Sequence, residues 1–183
     1  MTPLIRPHHG VSPVIDDTAF IAEGAVVIGD VRIGAGSSIW YGCVVRGDVN
    51  SITIGSNTNI QDGTIIHVNH DRPLADGGSD GGMATVIGDD ITVGHMALLH
   101  ACTLESGSFV GMRAVVMDGA VVESGAMVAA GALLTPGKRV RSGELWGGSP
   151  ARIMRKLSSE ELEGFAYSAR HYAKLATGYR ERS

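Results

Sequence analysis

The 183-residue sequence has few cysteines, few aromatic side chains and few charges, and these shortages exclude several classes of protein. Cys43 and Cys102 are the only cysteines, which fits reduced thiols in a cytoplasmic protein. The net charge of −4 offers no electrostatic reason to bind nucleic acid or an anionic membrane surface. No apolar run reaches the ~18 residues that span a bilayer, and residues 1–10 contain no apolar signal-peptide core. We therefore expect a cytoplasmic protein that binds neither nucleic acid nor membrane.

Glycine, by contrast, is abundant at 26 residues, and aliphatic residues recur at a spacing of six. With three changes of register, the aliphatic positions are Ile15, Ile21, Val27, Ile33, Ile39 and Val45, then Ile54, Ile60 and Ile66, then Ile87, Val93 and Leu99, and finally Leu104, Val110, Val116, Val122, Val128, Leu134 and Val140. Glycine often follows three residues later, as at Gly24 and Gly125, where a tight corner needs a positive φ. A helix needs period 3.6 and a flat strand period 2, so period six predicts a parallel β-helix.

Two segments break the repeat. Residues 68–85 are rich in glycine and predict a loop excursion from one coil of a β-helix domain at 1–157. Residues 158–183 change to helical spacing, and Ser158 with Glu161 forms a capping-box pattern. The apolar stripe of this segment consists of Leu162, Phe165, Ala169, Tyr172, Ala176 and Tyr179. We therefore predict one C-terminal helix packed on the β-helix.

Three of the seven histidines occupy informative positions in the repeat. His67 and His100 each follow an interior position on the same face of successive coils, so they point outward and stack. Because stacked rungs are about 4.8 Å apart, the two imidazoles can reach one metal ion. His95 falls on a different corner, above Asp62, and one subunit does not easily bring it to the other two. A threefold assembly can do so, which predicts a homotrimer with intersubunit metal sites.

The repeat 20–25, Phe-Ile-Ala-Glu-Gly-Ala, resembles the hexapeptide-repeat family, whose fold is an all-β, left-handed parallel β-helix. Within that family, three segments resemble the carbonic anhydrases of the γ class: residues 40–48, 59–67 and 94–100. Residues 146–152, Trp-Gly-Gly-Ser-Pro-Ala-Arg, match an exit motif shared with hexapeptide acyltransferases. The resemblance covers about residues 14–153.

The resemblance implies that His67, His95 and His100 ligate a metal. Three neutral imidazoles and an open position suit Zn(II), and Fe(II) or Co(II) would also accept this ligand set. The implied activity is the reversible hydration of CO2 to bicarbonate, in which the ion lowers the pKa of a bound water from about 15.7 toward about 7.

The same resemblance assigns supporting roles. Arg46 and Asp48 match an intersubunit ion pair that shapes the trimer and the site. Gln61 matches the residue that hydrogen-bonds the reacting water or bicarbonate. Asp62 would orient a ligand histidine, and Asn59 would support the site from the same segment.

The resemblance also implies that Tyr172 could reach the site from the C-terminal helix, but packing is the interpretation that we favour for this side chain. The sequence departs from the best-known active members of the γ class at the route for the proton. Those members carry a glutamate directly after the Arg-x-Asp segment, whereas here Val49 follows Asp48. His70, with an ordinary pKa near 6.5, is a substitute proton acceptor.

Two other functions stay open, namely a non-catalytic trimeric metal-binding accessory protein and a hexapeptide acyltransferase or other CoA-thioester enzyme.

Overall fold

The computed structural model describes residues 2–181. Met1, Arg182 and Ser183, at the outer ends of the predicted segments 1–157 and 158–183, lie outside the described residues. The first ten strands are β1 Leu4–Arg6, β2 Val14–Ile15, β3 Phe20–Ile21, β4 Val26–Ile33, β5 Ser38–Ile39, β6 Val44–Ile54, β7 Asn59–Ile60, β8 Ile65–His67, β9 Thr85–Ile87 and β10 Thr92–Val93. The remaining elements are β11 Leu98–His100, β12 Thr103–Leu104, β13 Phe109–Val110, β14 Val115–Val116, β15 Val121–Val122, β16 Met127–Val128, β17 Leu133–Leu134, β18 Arg139–Val140, β19 Glu144–Gly148, β20 Ala151–Lys156 and α1 Ser159–Arg180.

The strands stack into the three faces of a prism. A 12-stranded sheet supplies two faces, because the long strand β6 turns a corner and serves both. Nine of its strands follow the order β17-β14-β11-β8-β6-β9-β12-β15-β18, and the other three join through β4, which pairs with β6, β1 and β2. An eight-stranded sheet, β20-β19-β16-β13-β10-β7-β5-β3, forms the third face. Among the strands of residues 2–181, pairings between coils are parallel, and the final β19–β20 hairpin is antiparallel. The predicted all-β left-handed parallel β-helix with a C-terminal helix is confirmed.

The core consists of the aliphatic columns that the six-residue spacing predicts. On one face Val45 pairs with Ile66 and Ile66 with Leu99, and all three are fully buried. On the third face Ile60 pairs with Val93 and Val93 with Val110, again fully buried. Because each core residue stacks on its equivalent in the next coil, the residues beside it stack too. This register positions the outward-facing site residues.

The excursion from the repeat is one residue shorter than predicted, because Thr85 belongs to β9. The Thr85 side chain is fully buried, and its hydroxyl donates to the carbonyl oxygen of His67 at 2.6 Å. The loop of residues 68–84 folds back on itself through antiparallel bridges between Asn69 and Met83 and between Pro73 and Ser79. The loop therefore leaves and re-enters the prism beside His67.

The C-terminal helix packs along the eight-stranded face, next to β3, β5, β7 and β10. It begins with the predicted capping box, in which the Ser158 side chain accepts from the Glu161 amide. Of the predicted stripe, Phe165, Ala169 and Ala176 are buried, Tyr172 is half-buried, and Leu162 and Tyr179 stay more exposed. No helix within residues 2–181 combines the length and apolar character needed to cross a membrane.

Candidate functional site

The register of β8 and β11 places His67 directly beside His100. His67 Nδ1 lies 3.2 Å from His100 Nε2, and the ring centroids are 5.2 Å apart. The predicted stacking of the two imidazoles is therefore confirmed. We call these two residues the histidine pair.

Each member of the histidine pair has a carboxylate on its other ring nitrogen. His67 Nε2 lies 2.9 Å from Asp48 Oδ1, and His100 Nδ1 lies 2.6 Å from Asp118 Oδ1. Burial raises the pKa of Asp48, but hydrogen bonds from His67 and Arg46 outweigh it and hold that pKa below its ordinary value. The carboxylates orient the rings, so the two nitrogens that face each other are the ones open to a ligand.

This donor set fits a divalent metal ion. Two imidazole nitrogens that bind one tetrahedral Zn(II) at about 2.0–2.1 Å lie about 3.3 Å apart. The observed separation of 3.2 Å is close to that value, and a carboxylate behind each ring is the usual support of a histidine ligand. Within residues 2–181 of one chain, no group of three His, Cys, Asp or Glu side chains is positioned to hold a metal. Among the described residues, the structure thus brings together two of the three predicted ligands, His67 and His100.

His95 lies on the corner that follows β10, in a second cluster. Its Nδ1 is 2.9 Å from Asp62 Oδ2, as expected from the position of His95 one coil above Asp62. Both side chains are more than two-fifths exposed. The next residue, Met96, has a φ of +58°, which is unusual for a side chain with a Cβ. Its amide donates to the Asp62 carbonyl oxygen at 2.8 Å, so the corner itself is hydrogen-bonded.

Gln61 and Asn59 lie next to this second cluster and are almost completely buried, with 5% and 1% exposure. Gln61 Nε2 donates to Asn59 Oδ1 at 3.1 Å. Asn59 Nδ2 in turn donates to the carbonyl oxygen of Ile91 and to Thr92 Oγ1. The two predicted residues thus form one network.

Tyr172 packs against Trp40, with ring centroids 5.7 Å apart. Burial, followed by the negative charge of Asp62, raises the pKa of the Tyr172 hydroxyl. The observed role of Tyr172 is therefore packing, and its role in the candidate site stays a prediction.

The predicted site residues form two groups in one chain. Arg46, Asp48, His67 and His100 lie on the face of β6, β8 and β11, whereas Asn59, Gln61, Asp62 and His95 lie around β7, β10 and their following corner. Arg46 contacts Asp48 within the chain, through Nη1 and Oδ2. The intersubunit pairing of these two residues stays a prediction.

Sequence reasoning missed Asp118 and Asn69. Asp118 Oδ2 accepts from Asn69 Nδ2 at 3.0 Å while Oδ1 contacts His100. A signal was available for Asp118, because it follows His100 by 18 residues, one full coil of three hexads. Asn69 lies in the excursion loop, where no periodicity points to it.

Comparisons with known proteins relate this chain to a family. A family model described as bacterial transferase hexapeptide (six repeats) matches residues 12–47. Gamma carbonic anhydrase 2, mitochondrial, of Arabidopsis thaliana is 54% identical over 165 residues, which cover 90% of this chain and 58% of that protein. The carbonic anhydrase of Geobacillus kaustophilus is 37% identical over 177 residues, which cover 97% of this chain and 91% of that protein.

A solved structure of a hexapeptide transferase family protein from Anaplasma phagocytophilum has 49% identity and a TM-score of 0.88, over 98% of this chain and 99% of that one. The chain spans 58–63% of the length of three Arabidopsis relatives. The match to the Geobacillus protein, in contrast, runs nearly end to end. The chain belongs to the γ-class carbonic anhydrase family of hexapeptide-repeat proteins.

Proposed function

We propose that this chain catalyses the reversible hydration of CO2 to bicarbonate, at metal sites shared between the subunits of a homotrimer. The observation that carries the proposal is the histidine pair, with 3.2 Å between its open nitrogens and a carboxylate behind each ring. His67 and His100 of one subunit would supply two ligands, and His95 of a neighbouring subunit the third. The family relationship to carbonic anhydrases supports the reaction.

An exposed apolar strip supports assembly with a second and third copy of the chain. Leu98 stacks on Ile65 in the face that holds the histidine pair, and the two are 37% and 45% exposed. Met96 and Met112, on the corner beside His95, are 63% and 54% exposed. Apolar side chains of this size, placed next to both clusters, favour burial against another subunit. Covering them would bring the two clusters of neighbouring chains toward one another.

A divalent ion, with Zn(II) as first choice and Fe(II) or Co(II) as alternatives, would supply a water of lowered pKa as the nucleophile. Residues of the chain would orient the metal ligands and the reacting molecules. Asp48 and Asp118 accept hydrogen bonds from the ligand imidazoles and hold them in place. Gln61 is buried and hydrogen-bonded, so it can orient the reacting water or the bicarbonate product with little loss of conformational freedom.

The proton released in the reaction needs an acceptor. Val49, which is 47% exposed, takes the place of the glutamate of the active members. We propose His70, an exposed side chain of the excursion loop, as the substitute. His70→Ala should lower turnover in weak buffer and recover in concentrated imidazole, whereas unchanged turnover in weak buffer would contradict this role.

The first test is stopped-flow CO2 hydration with the metal content measured in the same preparation. Turnover should track metal content and disappear in His95→Ala. The matched control is His171→Gln, which removes an exposed imidazole from the outer face of α1. Full metal occupancy without turnover above buffer would refute the hydratase and favour the accessory protein. Because the family model and the Anaplasma structure carry the name transferase, acyl-CoA substrates are tested on the same samples.

Mixed trimers test the intersubunit site directly. His95→Ala and His100→Ala subunits are each inactive alone, because each lacks one ligand of every site. In random 1:1 heterotrimers, about one quarter of the sites would combine an intact histidine pair with an intact His95 from the next subunit. Activity and metal binding should therefore return to about that fraction. A site formed within one chain would show no recovery.

The cellular compartment stays a prediction. The buried, free state of Cys43 and Cys102 agrees with a reducing compartment such as the cytoplasm. The Arabidopsis relative is named mitochondrial, and that location is a property of the longer plant protein.

A further inference from the structure

We infer that Thr92 and Ser168 are positioning residues that, through Asn59, hold the Gln61 amide in the orientation that the Ile91 carbonyl oxygen sets. The inference rests on the proposed function and deepens it. Four side chains form one hydrogen-bonded line from the candidate site to the C-terminal helix: Gln61, Asn59, Thr92 and Ser168. The three distances along it are 3.1, 2.9 and 3.0 Å.

A backbone carbonyl determines the polarity of this line. The Ile91 carbonyl oxygen lies 3.2 Å from one amide atom of Asn59, and a carbonyl oxygen can only accept. That amide atom is therefore Nδ2, and the other terminal atom of Asn59 is the oxygen Oδ1. Because Oδ1 also only accepts, the Gln61 atom that faces it at 3.1 Å has to be Nε2. Gln61 Oε1 is then directed away from Asn59.

Thr92 completes the assignment of Asn59. Asn59 Nδ2 carries two hydrogens, and they go to the Ile91 carbonyl oxygen and to Thr92 Oγ1. Thr92 Oγ1 has a single hydrogen of its own, and among residues 2–181 its remaining partner is Ser168 Oγ at 3.0 Å. Thr92 therefore accepts from Asn59 and donates to Ser168. With 1% and 2% exposure, Asn59 and Thr92 are shielded from competing water.

Ser168 is anchored by the packing of the helix. Its neighbours Phe165 and Ala169 are buried, and the Phe165 ring stacks on Phe109 with centroids 4.8 Å apart. The helix contacts β7 and β10, the strands that carry Asn59 and Thr92. A shift of the helix would thus change the position of the Gln61 amide through three hydrogen bonds.

The consequence for the reaction is a defined role for Gln61. Its Oε1 has no hydrogen-bond partner within residues 2–181, and it can only accept. Gln61 would therefore accept a hydrogen from the reacting water, which directs the lone pair of that water toward CO2. The opposite orientation, with both amide hydrogens toward the site, would leave Asn59 Oδ1 facing Gln61 Oε1 in a buried position.

The sequence offers a direct probe, because Gln61 is its only glutamine. Protein labelled with side-chain amide nitrogen-15 in glutamine gives one NH2 group in an NMR spectrum, without any assignment. In the wild type, one hydrogen of that group should exchange slowly and resonate well apart from the other. Thr92→Val keeps the shape but removes the hydroxyl, and it should accelerate the exchange and bring the two resonances together. Thr92→Ser should restore the wild-type pattern.

Kinetics then separate positioning from packing. For Thr92→Val and Ser168→Ala, kcat for CO2 hydration should fall about 3- to 10-fold with KM nearly unchanged, the size expected for one lost orienting hydrogen bond. Thr103→Val is the matched control. Thr103 directly precedes the core residue Leu104, as Thr92 precedes Val93, but it lies on another face and is not part of the line. Metal content and trimer mass are measured on every variant, so a folding defect is recognised.

The outcomes distinguish this inference from the proposed function. Wild-type protein without turnover refutes the hydratase, while the amide spectrum still tests the hydrogen-bonded line. Wild-type turnover with an unchanged Gln61 spectrum in Thr92→Val overturns the line itself. A changed spectrum with unchanged kcat overturns the positioning role.

Discussion

Replacing Asp118 by asparagine tests whether the carboxylate behind His100 supports a metal ligand. Asp118 Oδ1 lies 2.6 Å from His100 Nδ1, and Oδ2 accepts from Asn69 Nδ2 at 3.0 Å. Both partners are donors when His100 binds a metal through Nε2, and a carboxylate accepts from both. Asparagine has the same shape but only one acceptor. In Asp118→Asn, one of the two contacts therefore becomes donor against donor.

The expected loss follows from the number of contacts affected. Removing the carboxylate partner of a ligand histidine typically weakens metal binding about 10- to 100-fold, or roughly 1.4–2.8 kcal/mol. The damage should be partial, because the histidine pair keeps its backbone register and the Asp48 contact of His67. Asn69→Ala added to Asp118→Asn removes the competing donor, so the asparagine oxygen can serve His100. The double variant should regain part of the lost affinity.

The measurement is Zn(II) affinity by competition with a chromophoric chelator, on variants whose trimer mass and circular dichroism match the wild type. Asp76→Asn is the control, since Asp76 is an exposed acid of the excursion loop. An Asp118→Asn affinity equal to wild type would refute the metal-supporting role of this carboxylate. Equal losses in Asp118→Asn and the control would show that general charge, and not the His100 contact, sets the affinity.

Three further predictions concern strain, thiol reactivity and acid stability. Arg113 is exposed and has a φ of +59° where most corners carry glycine, so Arg113→Gly should raise stability by about 0.5–1 kcal/mol in thermal denaturation, and a lower Tm would contradict this. Burial raises the pKa of Cys43 to about 11 and of Cys102 to about 12, so iodoacetamide at pH 8 should label neither thiol in the folded protein and both in urea, as read by mass spectrometry. The hydrogen bond from Arg155 lowers the pKa of Glu161 from 4.5 to about 2, so its stabilisation of the helix start is present above pH 4.5 and is lost as the pH falls through 2. Glu161→Gln should flatten that dependence in helical circular dichroism, and an unchanged acid transition would contradict it.

The sequence was sufficient to predict the β-helix and the histidine pair, because both depend on register alone. A six-residue period assigns each aliphatic residue to an interior column, as the pairing of Ile66 with Leu99 confirms. The residue after each column position then has to stack on its equivalent one coil away. That is how His67 and His100 were predicted to meet. No knowledge of side-chain conformation is needed for such a prediction.

The hydrogen-bond partners of the site residues were harder to predict, because they depend on side-chain conformations and on where the C-terminal helix packs. Thr92 and Ser168 are 76 residues apart and meet only because α1 packs across β10. Helical spacing predicts which face of α1 is apolar but not which strand it lies against. Asp118 is an intermediate case, since the coil length places it near His100 but only the structure shows the 2.6 Å contact.

The same regularity that builds the fold explains why one chain holds two incomplete clusters. Hexads give each coil three faces, and residues in one column can gather only along the prism axis, as His67 and His100 do. His95 lies on the corner that follows β10, while His100 ends β11 on the next face, so no change of side-chain conformation within the coil aligns them in a column. Insertion of extra residues could join them only by breaking the core stacking on both faces. A histidine from a second subunit can approach the histidine pair from outside the prism without disturbing the repeat. For that reason we expect metal binding and trimer formation to be linked in this protein.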